Sequence, residues 1–277
     1  MEDHFVDLAV RQACALAAQV LAARPSALVS DFDGTLSHIV SSPEEATVLP
    51  GCRRAMERLR DRLDRVAVVS GRPGYEVKGL LGVEGVLYLG NHGLDLWTDG
   101  DGPPGTSGER QAQPGRQDIL RALEELKQAL SDQPGLRFED KGMTASVHYR
   151  LAPDQRAARS RVLSAAAESA ARRDLAVGEG KMVVELRPAH WSGKGACLEE
   201  LARARGLRGL VYMGDDRPDL HAFETLARLR EKEGLLTLTI GVAGSEAPPE
   251  LAQATDLVLA GPEQVALLLE ELVEALG

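Results

Sequence analysis

Short apolar, β-branched runs alternate with longer amphipathic stretches along most of this chain. Residues 28–30, 66–70 and 86–90 read as strands, and 52-CRRAMERLRDRL-63 places its apolar side chains at helical spacing. The alternation returns late in the sequence, with helices over 194–206 and 218–230, strands over 210–214, 236–243 and 257–260, and a closing helix. Continuous apolar strands interleaved with helices predict an α/β fold: a Rossmann-like, doubly wound parallel sheet covered on both faces. Ligands of such sheets bind in the crevice beyond the carboxyl ends of the strands.

The middle of the chain follows another grammar. Residues 99-DGDGPPGTSGERQAQPGR-116 are rich in Gly, Pro and polar side chains and read as a linker. After them come a helix (117–131), strands near 136–140 and 144–150, a helix (155–173), and strands near 175–177 and 181–187. This predicts an inserted α+β cap, two helices on an antiparallel sheet, over residues 108–187. The core is then 1–107 plus 188–277, with an N-terminal helix inside 1–24. In 144-TASVHYR-150 the residues Ala145, Val147 and Tyr149 share one face, while Ser146, His148 and Arg150 share the other. Lys181 and Glu185 likewise fall opposite Met182, Val184 and Leu186, and Glu139 shares parity with Lys141. By pattern alone the polar face is simply wet, the usual fate of an antiparallel sheet's second face.

Composition narrows the classes. An apolar fraction of 44 % and a charged fraction of 27 % suit a globular protein with a real core. A net charge of −10 argues against nucleic acid as the main partner, so an anionic ligand needs a cation or a few placed bases. The Ala/Leu-rich stretch 8-LAVRQACALAAQVLAA-23 follows acidic residues and is interrupted by Arg11, which favours an amphipathic helix over a secretory leader. No other stretch approaches the length of a membrane span. Cys14, Cys52 and Cys197 are scattered and lack metal-ligand spacing, so they read as reduced thiols of a cytoplasmic protein.

The candidate chemistry lies where strands end. In 26-SALVSDFDGTLSHIV-40 an apolar run stops at two aspartates, Asp31 and Asp33, followed by Gly34. One carboxylate can attack a phosphate ester and become an aspartyl-phosphate; a second can protonate the leaving oxygen and later deprotonate water. The acid role requires Asp33 to start protonated, through burial or an anionic neighbour. Mg²⁺ is the natural hard cation for such a crowd of oxygens. The alternative is an Asx-type turn or a calcium loop, although no D-x-D-G-x₅-E spacing follows. Other strand ends supply what the chemistry asks for: Ser70 with Gly71 and Arg72 in 69-VSGRP-73, Lys194 in 192-SGKGA-196, and Asp215, Asp216 and Asp219 in 213-MGDDRPD-219. The lysine motif is no Walker A loop, because Pro188 stands where that loop needs glycine.

Together DFDGTL, SGR, GKG and GDDRPD resemble the haloacid-dehalogenase-type phosphatases. The stretches 88-YLGNHGLDLW-97, 138-FEDKGMTASVHYR-150, 183-VVELRPAHWSGKGA-196 and 212-YMGDDRPDLHAFE-224 are similar to the trehalose-6-phosphate phosphatases within them. That resemblance implies Asp31 as nucleophile, Asp33 as general acid/base, and Ser70 and Lys194 as phosphate holders. It implies Mg²⁺ on Asp31, the Asp33 carbonyl and Asp215, with Asp216 or Asp219 supporting the shell. It turns Glu139, Lys141, His148, Arg150, Lys181 and Glu185 into candidates for sugar hydroxyls, and places Asn91, His92 and Gly93 at the core–cap junction. It adds Gly71, Arg72, Asn91 and His92 to the substrate-binding candidates, with His92 equally readable as a hinge residue. The implied partner is a small sugar phosphate, for a monomer coupled in function to a trehalose-phosphate synthase. Other sugar phosphates (sucrose phosphate, mannosyl-3-phosphoglycerate) and a non-catalytic sugar-phosphate-binding module are the alternatives. The sequence departs from the family's G-D-D-x-T-D-E at Pro218 and Leu220, and has Gly193 where an acid or amide is usual. Proline suits the first turn of a helix, so the departure bears on metal affinity and rate before it bears on fold.

Overall fold

The computed structural model describes residues 2–40, 43–98, 115–180, 182–189, 191, 193–244 and 247–277. The chain divides into two compact units, Met1–Gly100 with Gly193–Gly277, and Asp101–Ser192. The stretch read as a linker lies, for residues 99–114, outside the described residues.

The first unit is built on a seven-stranded sheet. Its strands are β1 (Ser26–Ser30), β2 (Arg65–Val69), β3 (Leu87–Gly90), β4 (Asp95–Trp97), β9 (Gly209–Gly214), β10 (Leu236–Val242) and β11 (Leu257–Leu259). Their order is β11-β10-β9-β1-β2-β3-β4, parallel throughout except for the antiparallel edge strand β4. The chain leaves β1 toward β2 but leaves β9 toward β10, so loops diverge at the carboxyl ends of two neighbouring strands. That divergence opens the crevice in which doubly wound sheets bind ligands. Pairing of Ser30 with both Met213 and Val68 sets the ends of the three central strands level. The doubly wound parallel core expected from the alternating pattern is thus present.

Helices α1 (Glu2–Leu21), α2 (Pro50–Leu59) and α9 (Pro262–Ala275) cover one sheet face. α1 is the expected amphipathic helix, burying Val10, Ala13, Cys14, Ala17 and Leu21 at helical spacing. Two further helices, α3 (Gly74–Leu81) beside β3 and the one-turn α8 (Leu251–Ala254), were not legible in the pattern. Under α6 (Lys194–Arg205) and α7 (Arg217–Glu233), Tyr212 of β9 meets Phe223 edge-on with ring centroids 5.7 Å apart. α7 starts with a reciprocal capping box between Asp216 and Asp219, with Pro218 in its first turn. Proline costs nothing there, because that amide has no intrahelical partner to lose.

The second unit is the expected α+β block. Strands β5 (Arg137–Asp140), β6 (Ala145–His148), β7 (Leu175–Gly180) and β8 (Val183–Pro188) form an antiparallel sheet in the order β5-β6-β8-β7. Helices α4 (Arg116–Ala129) and α5 (Gln155–Ala171) bury Ile119, Leu123, Leu126, Ala158 and Val162 against Ala145, Val147, Val184 and Leu186. The parity read from the sequence therefore holds: Val147 pairs with Val184 on the buried face, and Ser146 lies between Glu139 and Glu185 on the polar one. β6 ends at His148, however, so Arg150 sits exposed in the following turn and is no part of the polar face. Among the described residues, no helix is long and apolar enough to cross a membrane.

Candidate active site

The site grows from the ends of β1, β2 and β9. Asp31 continues the ladder one residue past β1, its amide donating to the Met213 carbonyl at 2.8 Å, and its side chain is buried. Gly34 then turns with φ +81°, a conformation glycine adopts without steric cost. A Cβ there would lie 2.1 Å from Asp215 Oδ2. The turn is therefore shaped to let the β9 acid approach Asp31. Thr35 Oγ1 donates to Asp215 Oδ1 at 3.3 Å.

Lys194, first residue of α6, is 1 % exposed and lies among the acids. Its Nζ is 2.9 Å from Asp31 Oδ1, 2.7 Å from Asp219 Oδ1 and 3.4 Å from Asp216 Oδ1. Asp219 is fully engaged. Its Oδ1 accepts from Lys194 and from the Tyr212 hydroxyl, and its Oδ2 accepts from the amides of Asp215 and Asp216. A buried carboxylate survives when every oxygen is matched by a donor, and here each is.

Charge does not balance in this cluster. Burial pushes Asp31 well above the ordinary carboxylate range; Lys194 pulls against that rise, and Asp219 and Asp215 add to it. Burial, with Asp219 and Asp216 close by, lifts Asp215 to about 7. Asp219 goes the other way: burial acts to raise it, but Lys194 and its hydrogen-bond donors hold it below the ordinary value. Burial acts to lower Lys194, yet Asp219, Asp31 and Asp216 keep its ammonium well above the usual range. One cation thus faces more anionic groups than it can neutralise.

Oxygens of Asp31, Asp215 and Asp219 all lie within 4.8 Å of one another. Hard, anionic oxygens in excess of their counter-charge are the donor set that suits a divalent cation of the magnesium class. Since Asp219 already serves four donors, Asp31 and Asp215 are the carboxylates with ligand capacity left. Asp216, a half-exposed helix cap, stands at the rim.

The next group of candidate residues lies beyond β2. Ser70 is buried, and its Oγ accepts from the Arg72 amide at 3.1 Å. Asn91 and His92 follow β3 with φ of 51° and 58°, two consecutive non-glycine residues in the left-handed region. They are held there by amides donating to the carbonyls of Arg72 and Ser70, each at 2.8 Å. Such outliers persist only where surroundings over-determine them. The His92 ring lies 2.9 Å from where a Gly71 Cβ would be, so Gly71 admits the imidazole.

The trehalose-phosphatase family model matches residues 29–248. The chain belongs to the trehalose-phosphatase family. Relatives include the trehalose-phosphate phosphatase of Mycobacterium bovis (strain BCG / Pasteur), 35 % identical over 252 residues, which cover 85 % of this chain and 62 % of the relative. That of Mycobacterium avium is 39 % identical over 230 residues, covering 78 % of this chain and 55 % of the relative. The chain therefore spans about three fifths of the length of the curated relatives it matches. In fold it is similar to the C-terminal domain of Candida albicans trehalose-6-phosphate phosphatase, with TM-score 0.69 at 21 % identity over 94 % of this chain and 96 % of that one.

The second unit's polar face pairs acids with bases. Glu139 Oε2 and His148 Nε2 are 2.9 Å apart, and the contact with His148 lowers the Glu139 carboxyl below its ordinary value. Glu185 Oε1 accepts from Lys141 Nζ and from Ser146 Oγ, each at 3.2 Å. These acids and bases come in pairs on one face; Arg150 does not join them, and Lys181 lies outside the described residues. Asp33 meets a cation, Arg72, where the sequence reading anticipated burial or an anion. Thr35, Tyr212 and Glu76 were not singled out in the sequence. Thr35 had a signal in the DFDGT run itself; the partners of the others are remote or depend on side-chain direction.

Proposed function

We propose that this chain hydrolyses trehalose 6-phosphate to trehalose and phosphate, with Mg²⁺ as its cation. Support comes above all from the Lys194–Asp31 pair: a buried carboxylate at the end of β1, 2.9 Å from an ammonium that can also neutralise a phosphate. In this reading Asp31 Oδ attacks phosphorus while the bond to the sugar oxygen breaks, and Asp33 gives that oxygen a proton. Asp33 then takes a proton from water as the water attacks the aspartyl-phosphate. The P–Oδ bond breaks and Asp31 is regenerated. Ser70 and Lys194 hold phosphate oxygens. Asp31, the Asp33 carbonyl and Asp215 would hold the cation, which when bound offsets the charge gathered on the phosphoryl group. Glu139, Lys141, His148 and Glu185 suit sugar hydroxyls, which both donate and accept. The protein works in the cytoplasm as a monomer, coupled in function to a trehalose-phosphate synthase.

Phosphate release is the test, measured from trehalose 6-phosphate, sucrose phosphate and mannosyl-3-phosphoglycerate, with Mg²⁺ and with a chelator. Release should be fastest from trehalose 6-phosphate and vanish on chelation or with Asp31→Asn. Turnover that survives either change overturns the mechanism, preference for another phosphate overturns the substrate, and binding without release makes the chain a sugar-phosphate sensor.

A further inference from the structure

Arg72 follows the Ser70–Gly71 turn, where a guanidinium would be expected to reach for phosphate. Its fork is instead closed on Asp33: Nε lies 2.7 Å from Oδ2 and Nη2 lies 2.9 Å from Oδ1. Nη1 is bonded to Glu76, one helical turn further on. The backbone is clamped as well, the Arg72 amide donating to Ser70 Oγ at 3.1 Å and its carbonyl accepting from Asn91 at 2.8 Å. The Arg72 side chain is only 12 % exposed, so this is no mobile surface pair. A planar fork on a planar carboxylate fixes orientation as well as distance, which a point charge does not. Each carboxylate oxygen has two lone-pair positions, so a bidentate guanidinium leaves one on each oxygen for a proton.

We infer that Arg72, braced by Glu76, is a positioning residue for Asp33, setting the carboxyl that transfers a proton to the leaving sugar oxygen. This rests on the reading of Asp33 as the acid–base group. In the step concerned, the phosphorus–oxygen bond breaks and the Asp33 proton passes to the departing oxygen. A sugar alkoxide needs that proton, whereas p-nitrophenolate leaves without it. The constant kcat/KM, which covers the steps up to departure of the leaving group, therefore separates the roles.

With Arg72→Ala, kcat/KM for trehalose 6-phosphate should fall on the order of 10- to 100-fold, and that for p-nitrophenyl phosphate by no more than about threefold. Arg72→Lys should recover part of the loss, since one ammonium cannot hold both oxygens. Glu76→Gln should show the same selectivity with a smaller fall, roughly two- to tenfold, and stands in for Arg72→Ala if that variant does not fold. Equal losses on both substrates would mean that Arg72 holds the shared phosphate or the fold, and would overturn the inference. Asp33→Asn separates the two readings. If it too loses both activities equally, the acid–base assignment falls; if it is selective and the Arg72 and Glu76 variants are not, the positioning role alone falls.

Discussion

Removing one buried acid should make this protein more stable while it stops working. Asp215→Asn keeps the size of the side chain and an oxygen to accept from Thr35 Oγ1, but deletes a charge from the crowded cluster. The Asp215 carboxyl rises from the ordinary 3.8 to about 7 on folding, so its ionised form opposes the folded state. At about 1.36 kcal/mol per pH unit, that rise corresponds to about 4 kcal/mol above pH 7. Burial is the larger cause of that rise and repulsion by Asp219 and Asp216 the smaller, and these acids titrate together, so we expect the variant to recover about half, roughly 2 kcal/mol, or a Tm higher by about 4–8 °C. The sign follows from linkage: a carboxyl raised on folding leaves the folded state holding the extra proton, and stability falls as pH rises. The gap between variant and wild type should therefore be absent near pH 4, open between pH 4 and 7, and stay open above. Thermal melts in a chelator from pH 4 to 8 measure it, and added Mg²⁺ should close it by stabilising the wild type alone. A variant no more stable than wild type at pH 8, or one equally stabilised at pH 4, would refute this account of the cluster. Loss of activity with gain of stability is the expected trade at a charge-crowded site.

The opposite sign is expected at Lys194. Lys194→Met should destabilise the fold by about 3–5 kcal/mol near neutral pH, because it strands buried carboxylates, and the cost should shrink in acid melts as they protonate. Gly34→Ala places a Cβ 2.1 Å from Asp215 Oδ2 in a backbone of φ +81°, so phosphate release should fall at least tenfold while circular dichroism stays native. Tyr212→Phe preserves the ring against Phe223 but removes one of four donors to Asp219; chemical denaturation should show a loss of about 1.5–3 kcal/mol, and less would mean that another donor replaces it.

The acids at the ends of β1 and β9 were legible because a strand buried on both faces must be apolar along its length, and a carboxylate pair at its end breaks that rule conspicuously. The cap's two faces were legible for a related reason, as side-chain parity is a local property of the strand. Arg150 shows where that logic stops: Tyr149 still donates across to Met182 and stays buried, but Arg150 lies in the turn that follows, and parity has no meaning once the chain turns. Neither the Arg72–Asp33 fork nor the Tyr212–Asp219 bond has a signature in sequence, since each joins side chains whose directions are set by separate elements.

Sequence alone determined the alternation of elements, the two-part grammar and the kinds of side chain that end each central strand, because burial acts on every strand locally. Tertiary structure decided which of those side chains meet one lysine and which crowd one another. Those assignments depend on strand order and register, which bring Ser30 level with Met213 across 183 residues of chain. It also decided that Asp219 serves donors and Arg72 serves Asp33, for a buried charge is defined by the partners that surround it.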